Sequence, residues 1–194
     1  TASVFSITWL FRSGYYVAAC CYSVYYDTTN LSVTVNLVDG SLSDSDNNSE
    51  VTFEFSETVT DFAEADLTVA GGTLSNFTKV DGDSYKATFT ADDDSSTAGA
   101  VTVKANSYTD AAGNLGATGI DTVTVDTTNP TVTVTVVDGS LSDSNNSSEV
   151  TFAFSEVVTD FTKADLTVEG GTITDDPTTD NQTFTATYTA TDDT

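Results

Sequence analysis

Short apolar alternations separated by polar turn clusters run through most of the chain. Ser32–Val38 (SVTVNLV) alternates with period two and predicts a strand. A polar loop is expected over Asp39–Glu50, and then Val51–Phe55 (VTFEF) puts Val51, Phe53 and Phe55 on one strand face. Leu67–Val69 predicts a short strand ended by a Gly71-Gly72 turn, and Thr73–Val80 returns. Asp81-Gly82 is a hairpin signal. Ser84–Thr90 (SYKATFT) presents Tyr85, Ala87 and Phe89 to an interior. An acidic loop at Asp92–Asp94, a strand at Val101–Ala105, a turn at Asp110–Asn114 (DAAGN) and a strand at Ile120–Val125 complete the series. Seven short strands at this spacing predict an all-β fold, a two-sheet sandwich with Greek-key connections.

The pattern is written twice. Asp27–Asp94 aligns without a gap to Asp126–Asp193 at an offset of 99, with 43 of 68 positions identical. A period near 100 is too long for a solenoid unit and has the size of a small sandwich domain. The predicted organisation is therefore a segment 1–26, a complete domain 27–125, and a domain 126–194 whose last two strands, the counterparts of Val101–Ala105 and Ile120–Val125, are missing. A sandwich lacking two strands leaves its core open and invites strand addition. Either the sequence is a window on a longer array, or residues 1–26 of one copy complete the final domain of the next. The second arrangement, donor-strand complementation, generates a head-to-tail filament.

Residues 1–26 match neither repeat, are the most aromatic part of the chain and carry one charge, Arg12. Three readings compete. The segment stands at the repeat position of Ala100–Val125, so it reads as two strands of a neighbouring domain joined at Arg12-Ser13-Gly14. It also reads as a hydrophobic helix, against which Gly14 and the Tyr and Val content count. The third reading is an error in the assigned sequence.

Composition sharpens the functional choices. Thirty acidic residues face five basic ones and no histidine, a net charge of −25. Nucleic acid, which needs a basic footprint, is excluded, and so is attraction to an anionic membrane surface. No uninterrupted run approaches the ~20 apolar residues of a membrane helix. Without histidine, and with cysteine only as the adjacent pair Cys20 and Cys21, the usual triads and zinc sites cannot be built. Close carboxylate pairs are expected by chance among this many acids. The expectation is a protein that is not an enzyme.

Phe53–Glu57 (FEFSE), Phe62–Val69 (FAEADLTV), Gly71-Gly72-Thr73 and DAAGN, with Phe152–Glu156 (FAFSE) and Phe161–Val168 (FTKADLTV) in the second copy, resemble the bacterial immunoglobulin-like domains of large surface adhesins and biofilm proteins. The resemblance covers about 27–194. It implies an extracellular β-sandwich module at the cell surface, often stiffened by calcium, acting as stalk or spacer. The second copy has no DAAGN turn, so a site using that turn is incomplete there unless supplied in trans.

Alternating strand directions place Asp27–Asn30, Glu57–Asp66, Asp81–Asp83 and Asp110–Asn114 at one pole, and Asp39–Glu50 and Asp92–Asp94 at the other. At a junction between repeats, acids of the first domain would face Asp126, Glu156, Asp160 and Asp180. Carboxylates so packed repel by roughly 1 kcal/mol per close pair even in water. A hard cation with six to eight oxygen ligands turns this into cohesion. Calcium is therefore expected at the poles, with Asp27, Asp39, Glu57, Asp110, Asn114, Asp126 and Glu156 as candidate ligands. The FSE and ADLTV acids also suit capping and turn roles. Expected partners are neighbouring copies of the chain or adjacent repeats, and surface glycans. An alternative of another class is a carbohydrate-binding module, which needs solvent-facing aromatics; Phe53, Phe55, Phe62 and Phe89 instead stand at inward positions, and Trp9 lies outside the repeats.

Overall fold

The computed structural model describes residues 3–9, 20–174 and 178–191, which form two compact units, Thr1–Thr128 and Asn129–Thr194. The turn expected at Arg12-Ser13-Gly14 lies outside the described residues. On either side of it, β1 (Ser3–Trp9) and β2 (Cys20–Tyr26) pair antiparallel over seven residues. Of the three readings of the N-terminal segment, the described residues take the extended one.

The first repeat is a sandwich of two four-stranded sheets. Its strands are β3 (Val33–Leu37), β4 (Ser41–Ser43), β5 (Asn48–Phe55), β6 (Leu67–Ala70), β7 (Gly72–Lys79), β8 (Ser84–Ala91), β9 (Gly99–Val103) and β10 (Gly119–Asp126). One sheet has the order β3-β5-β8-β7 and the other β4-β10-β9-β6. The alternation of β5 and β8 delivers Val51, Phe53, Phe55, Tyr85, Ala87 and Phe89 to the core, where Val101, Val103, Val123 and Val125 meet them from the other sheet. Phe55 packs edge-on against Phe62, Tyr85 and Tyr108 at 4.8–5.9 Å between ring centres, a favoured geometry for aromatic pairs. The inward aromatics of the sequence are thus core residues.

Two strands differ from expectation. The Asp39–Glu50 stretch is not all loop: β4 forms within it and pairs parallel with Thr124–Asp126 of β10. Leu42, the one apolar residue of that polar run, is buried and holds the strand down; three residues carry too little alternation to be seen in sequence. β9 spans Gly99–Val103 rather than Val101–Ala105. Gly99 starts it because a Cβ there would meet the Phe89 ring at 2.6 Å, so only glycine lets the sheets close.

The second repeat forms one sheet from β11 (Val132–Val136), β12 (Ser147–Phe154), β13 (Gly171–Ile173), β14 (Thr178–Thr179) and β15 (Thr183–Ala190), in the order β11-β12-β15-β13 with β14 also on β15. Leu166–Val168, the counterpart of Leu67–Val69 and so an expected strand, is not one, whereas Ser140–Ser142, the counterpart of β4, is irregular, as its polar run predicts. In the first repeat β6 and β4 bond to β9 and β10. Among the described residues no strand stands beside these two segments to supply such a ladder, and the same sequence is irregular there. Val134 and Val136 are in consequence 54% and 50% exposed, whereas Val35 and Leu37 at the same repeat positions are 7% and 5% exposed.

Among the described residues the only helical turns are the short 3-10 segments Glu64–Asp66 and Lys163–Asp165, and no helix is long and apolar enough to cross a membrane. These turns explain the shared ADLTV motif. Asp66 Oδ2 accepts a hydrogen bond from the Ala63 N–H at 2.8 Å, and Asp165 Oδ2 from the Thr162 N–H at 2.9 Å. Both aspartates therefore cap a turn.

Candidate metal centre

The first sandwich has its chain ends at opposite poles. Leu31 bridges Gly116 at one, while Asp126 pairs with Ser43 at the other. At the N-terminal pole three carboxylates converge. One oxygen from each of Asp27, Glu57 and Asp110 lies within 4.8 Å of the other two. Calcium–oxygen distances of 2.3–2.6 Å put opposed ligands about 5 Å apart, so this spacing fits a single ion, with carbonyls and water left to complete its shell.

Each residue is fixed by its own loop. Asp27 accepts a hydrogen bond from the Thr29 N–H at 2.8 Å. Glu57 follows β5 on a segment pinned where the Ser56 N–H donates to Ser32 O and the Ser32 N–H donates to Ser56 Oγ. Asp110, 4% exposed, is wrapped by the DAAGN turn: Oδ1 accepts from the N–H groups of Ala112 and Asn114 at 2.8 and 2.9 Å, and Oδ2 from Asn114 Nδ2 at 2.8 Å. Gly113, with φ of 89°, permits that turn. Beside it the Thr109 N–H and hydroxyl both donate to Asp61. Below the turn, buried Tyr108 donates to Ala117 O at 2.6 Å.

The electrostatics divide the three acids. Backbone donation from Thr29 holds Asp27 below the usual carboxylate range, and donation from Asn114 does the same for Asp110 against the opposing effect of burial. Glu57 goes the other way. Burial, then the hydrogen-bonding contact with Asp27 and the charges of Asp27 and Asp110, push its carboxyl up. Its Oε1 is buried with no hydrogen-bond partner. A buried unpaired carboxylate oxygen is costly, and a bound cation is one way to satisfy it.

Asn114 stands beside the cluster, where its Nδ2 donates to Asp110 Oδ2 at 2.8 Å. The remaining expected ligands stand elsewhere. Asp39 and Asp126 belong to the opposite pole of the first sandwich, where the Asp39 N–H donates to buried Ser49 and Asp126 is exposed. Glu156 is half-buried in the second unit, and the repeat counterpart of Asp110 would follow Thr194. Sequence reasoning did not single out Thr127. It is 1% exposed at the C-terminal pole: its hydroxyl donates to Asp92 O at 2.7 Å and accepts from the Ser95 N–H at 3.0 Å, while its own N–H donates to Ser95 O at 2.9 Å. The signal was the DTTN run that opens both repeats.

A family profile described as a bacterial Ig-like domain matches residues 27–125 and again 126–194. No curated protein sequence matches. Among solved structures the chain is similar to invasin, described as a bacterial integrin-binding protein, at 18% identity and a TM-score of 0.44, over 98% of this chain and 40% of that one. It is also similar to the Yersinia pseudotuberculosis adhesin InvE, at 17% identity and a TM-score of 0.35, over 84% of this chain and 52% of that one. The chain thus spans about half or less of the length of these two proteins.

Proposed function

The chain belongs to the bacterial Ig-like domain family, and from that premise we propose that it is a load-bearing segment of an extracellular, surface-attached adhesive protein. The observation that carries this reading is the parallel pairing of β4 with β10. The chain runs into the first sandwich at one pole and out at the other, so tension on its ends shears the β4–β10 ladder along its length. Hydrogen bonds loaded in shear must break together, whereas an antiparallel hairpin pulled from one end opens bond by bond. The linker beyond β10 is itself held, through Thr127, to the Asp92–Ser95 loop. That contact stiffens the exit and passes force into the fold.

Calcium at Asp27, Glu57 and Asp110 is part of the proposal. Bound there, the ion would neutralise repulsion among three carboxylates and tie the Asp27 leader to the turns after β5 and before β10. Asp39, Asp44, Asp92–Asp94 and Asp126 are the acids available for further cations at the C-terminal pole. Head-to-tail joining of copies by strand donation extends the same reading, and the exposed Val132, Val134 and Val136 of β11 support it. Biofilm or host surfaces, glycans among their components, are the proposed environment.

Single-molecule stretching of the chain, with and without calcium, tests the proposal. The first repeat should unfold as one high-force event that calcium strengthens, and Glu57→Gln should remove the calcium increment alone. Unfolding at low force in several small steps would reject the load-bearing role. Indifference to a strong chelator would reject the ion.

A further inference from the structure

Resting on the calcium reading above, we propose that Asp61 is the positioning residue of the metal centre. By gripping Thr109 it holds Glu57 and Asp110 at a spacing that admits calcium and disfavours magnesium. Glu57 and Asp110 stand on separate loops, and backbone contacts join these first. Val59 forms a β-bridge with Asp110, and the Thr60 N–H donates to Thr109 O at 3.3 Å. A side chain then fastens them: Asp61 Oδ1 accepts the Thr109 N–H at 2.8 Å, and Asp61 Oδ2 accepts the Thr109 hydroxyl at 3.2 Å. Both oxygens of Asp61 are thus turned onto the residue next to Asp110, while the oxygens that converge belong to Asp27, Glu57 and Asp110.

Both sides of this grip are anchored in the core. On the Glu57 loop Val59 is buried, and buried Phe62 packs against Phe55, Tyr85 and Tyr108 at 4.8–5.7 Å between ring centres. On the other loop Tyr108 and Asp110 flank Thr109, and both are buried. Asp61 itself is exposed. A side chain in that place adds little to the core. What it determines is where the peptide between Tyr108 and Asp110 sits relative to the loop that follows Glu57. Partners of this kind, which touch the ligand-bearing segment and not the ion, orient a metal's ligands.

Asp27 is held differently. Its backbone donor, Thr29, lies on the same short leader, so this carboxylate can adjust while Glu57 and Asp110 keep their separation. The buried Glu57 Oε1, which has no hydrogen-bond partner, lies on the fixed side of the centre and marks where a cation is needed.

Ion size then discriminates. Calcium takes oxygens at about 2.3–2.6 Å in flexible geometry, whereas magnesium demands about 2.0–2.1 Å in a near-ideal octahedron and sheds water reluctantly. To bind magnesium directly, Glu57 and Asp110 would have to close on it, and the Asp61–Thr109 contact opposes that closure. Releasing the contact removes the preformed spacing that calcium uses and the resistance that magnesium meets.

Calorimetric titration of calcium, and separately of magnesium, into the chelator-treated 194-residue chain tests the inference. Wild type should prefer calcium. Asp61→Ala should weaken calcium binding by roughly 10–100-fold, the range typical of an outer-shell partner, and magnesium binding by less, so the preference falls. Asp61→Asn keeps an oxygen for the Thr109 N–H and should recover most of the loss. Thr109→Val removes the hydroxyl and keeps the N–H, so it should lower the preference by less than Asp61→Ala does. The double variant should lose no more than Asp61→Ala alone, because both changes break one contact. A merely structural role would lower the melting temperature in chelator and leave the calcium-to-magnesium ratio where it was. An unchanged ratio in Asp61→Ala, or in Thr109→Val should only that variant fold, would overturn the proposal. Asp61→Asn as weak as Asp61→Ala would overturn it too, since Asp61 would then act by its charge or as a ligand. A wild type that binds no calcium would reject the metal centre itself and this inference with it, a result distinct from wild type and Asp61→Ala binding alike.

Discussion

Replacing Thr127 by valine isolates the contribution of the linker to the first domain. The two side chains have nearly the same shape, so the change removes a hydroxyl and leaves the packing in place. What is lost is the 2.7 Å bond to Asp92 O and the 3.0 Å bond from the Ser95 N–H, at a residue 1% exposed. A net hydrogen bond contributes about 1 kcal/mol, and a donor left buried and unpaired costs about 1–3 kcal/mol. Asp92 is exposed and its carbonyl can turn to water, while Ser95 is half-buried. The cost should therefore lie between about 1 and 2.5 kcal/mol. For a domain near 100 residues each kcal/mol moves the midpoint by ~4–8 °C, so a drop of roughly 5–15 °C is expected. Calorimetry or urea unfolding of the full chain measures it, with an unchanged urea slope showing that stability alone has shifted. Thr28→Val is the internal control: the same substitution in the same DTTN context, at an exposed residue, should stay within about 0.5 kcal/mol. Equal effects at the two threonines, or a change below about 0.5 kcal/mol at Thr127, would refute the idea that the buried hydroxyl locks the linker. Amide exchange at Ser95 should accelerate in the Thr127 variant and stay unchanged in the Thr28 variant.

The acids at the N-terminal pole give a pH signature with two signs. Glu57 is raised when folded, so its contribution is present below its ordinary range and is lost as pH climbs through the elevated value, from about pH 4 upward. Asp27 and Asp110 are lowered, so theirs is present above the usual carboxylate range and is lost as pH falls below it. In chelator the melting temperature of wild type relative to Glu57→Gln should therefore fall as pH rises above the usual carboxylate range, and calcium should abolish that fall; a difference that is flat with pH counts against the carboxylate cluster. Gly116→Ala should destabilise the first domain severely, because its Cβ would stand 2.1 Å from the Tyr108 ring. That ring is fully buried, and its hydroxyl, pushed up to about 12 by burial, holds the loop through Ala117. A Gly116→Ala melt within 2 °C of wild type would show that Tyr108 can move aside freely.

Alternation by itself determined most of the first domain. Val51, Phe53 and Phe55, then Tyr85, Ala87 and Phe89, face inward because successive strand residues point to opposite faces, and that period is local. The offset of 99 fixed the module length, and strand direction alone brought Asp27, Glu57 and Asp110 to a common pole. What a residue bonds to is a different matter. Asn114 carries an oxygen suited to a cation, yet the fold turns its amide onto Asp110. Thr28 and Thr127 sit in identical DTTN runs, and only the presence of a preceding Asp92–Ser95 loop buries one of them. The ADLTV motif is identical in both repeats but is followed into a strand only at Leu67–Ala70, where β9 offers a ladder. A β-strand is made by its neighbour as much as by its own residues, so tertiary structure decides which of two matching sequences becomes one.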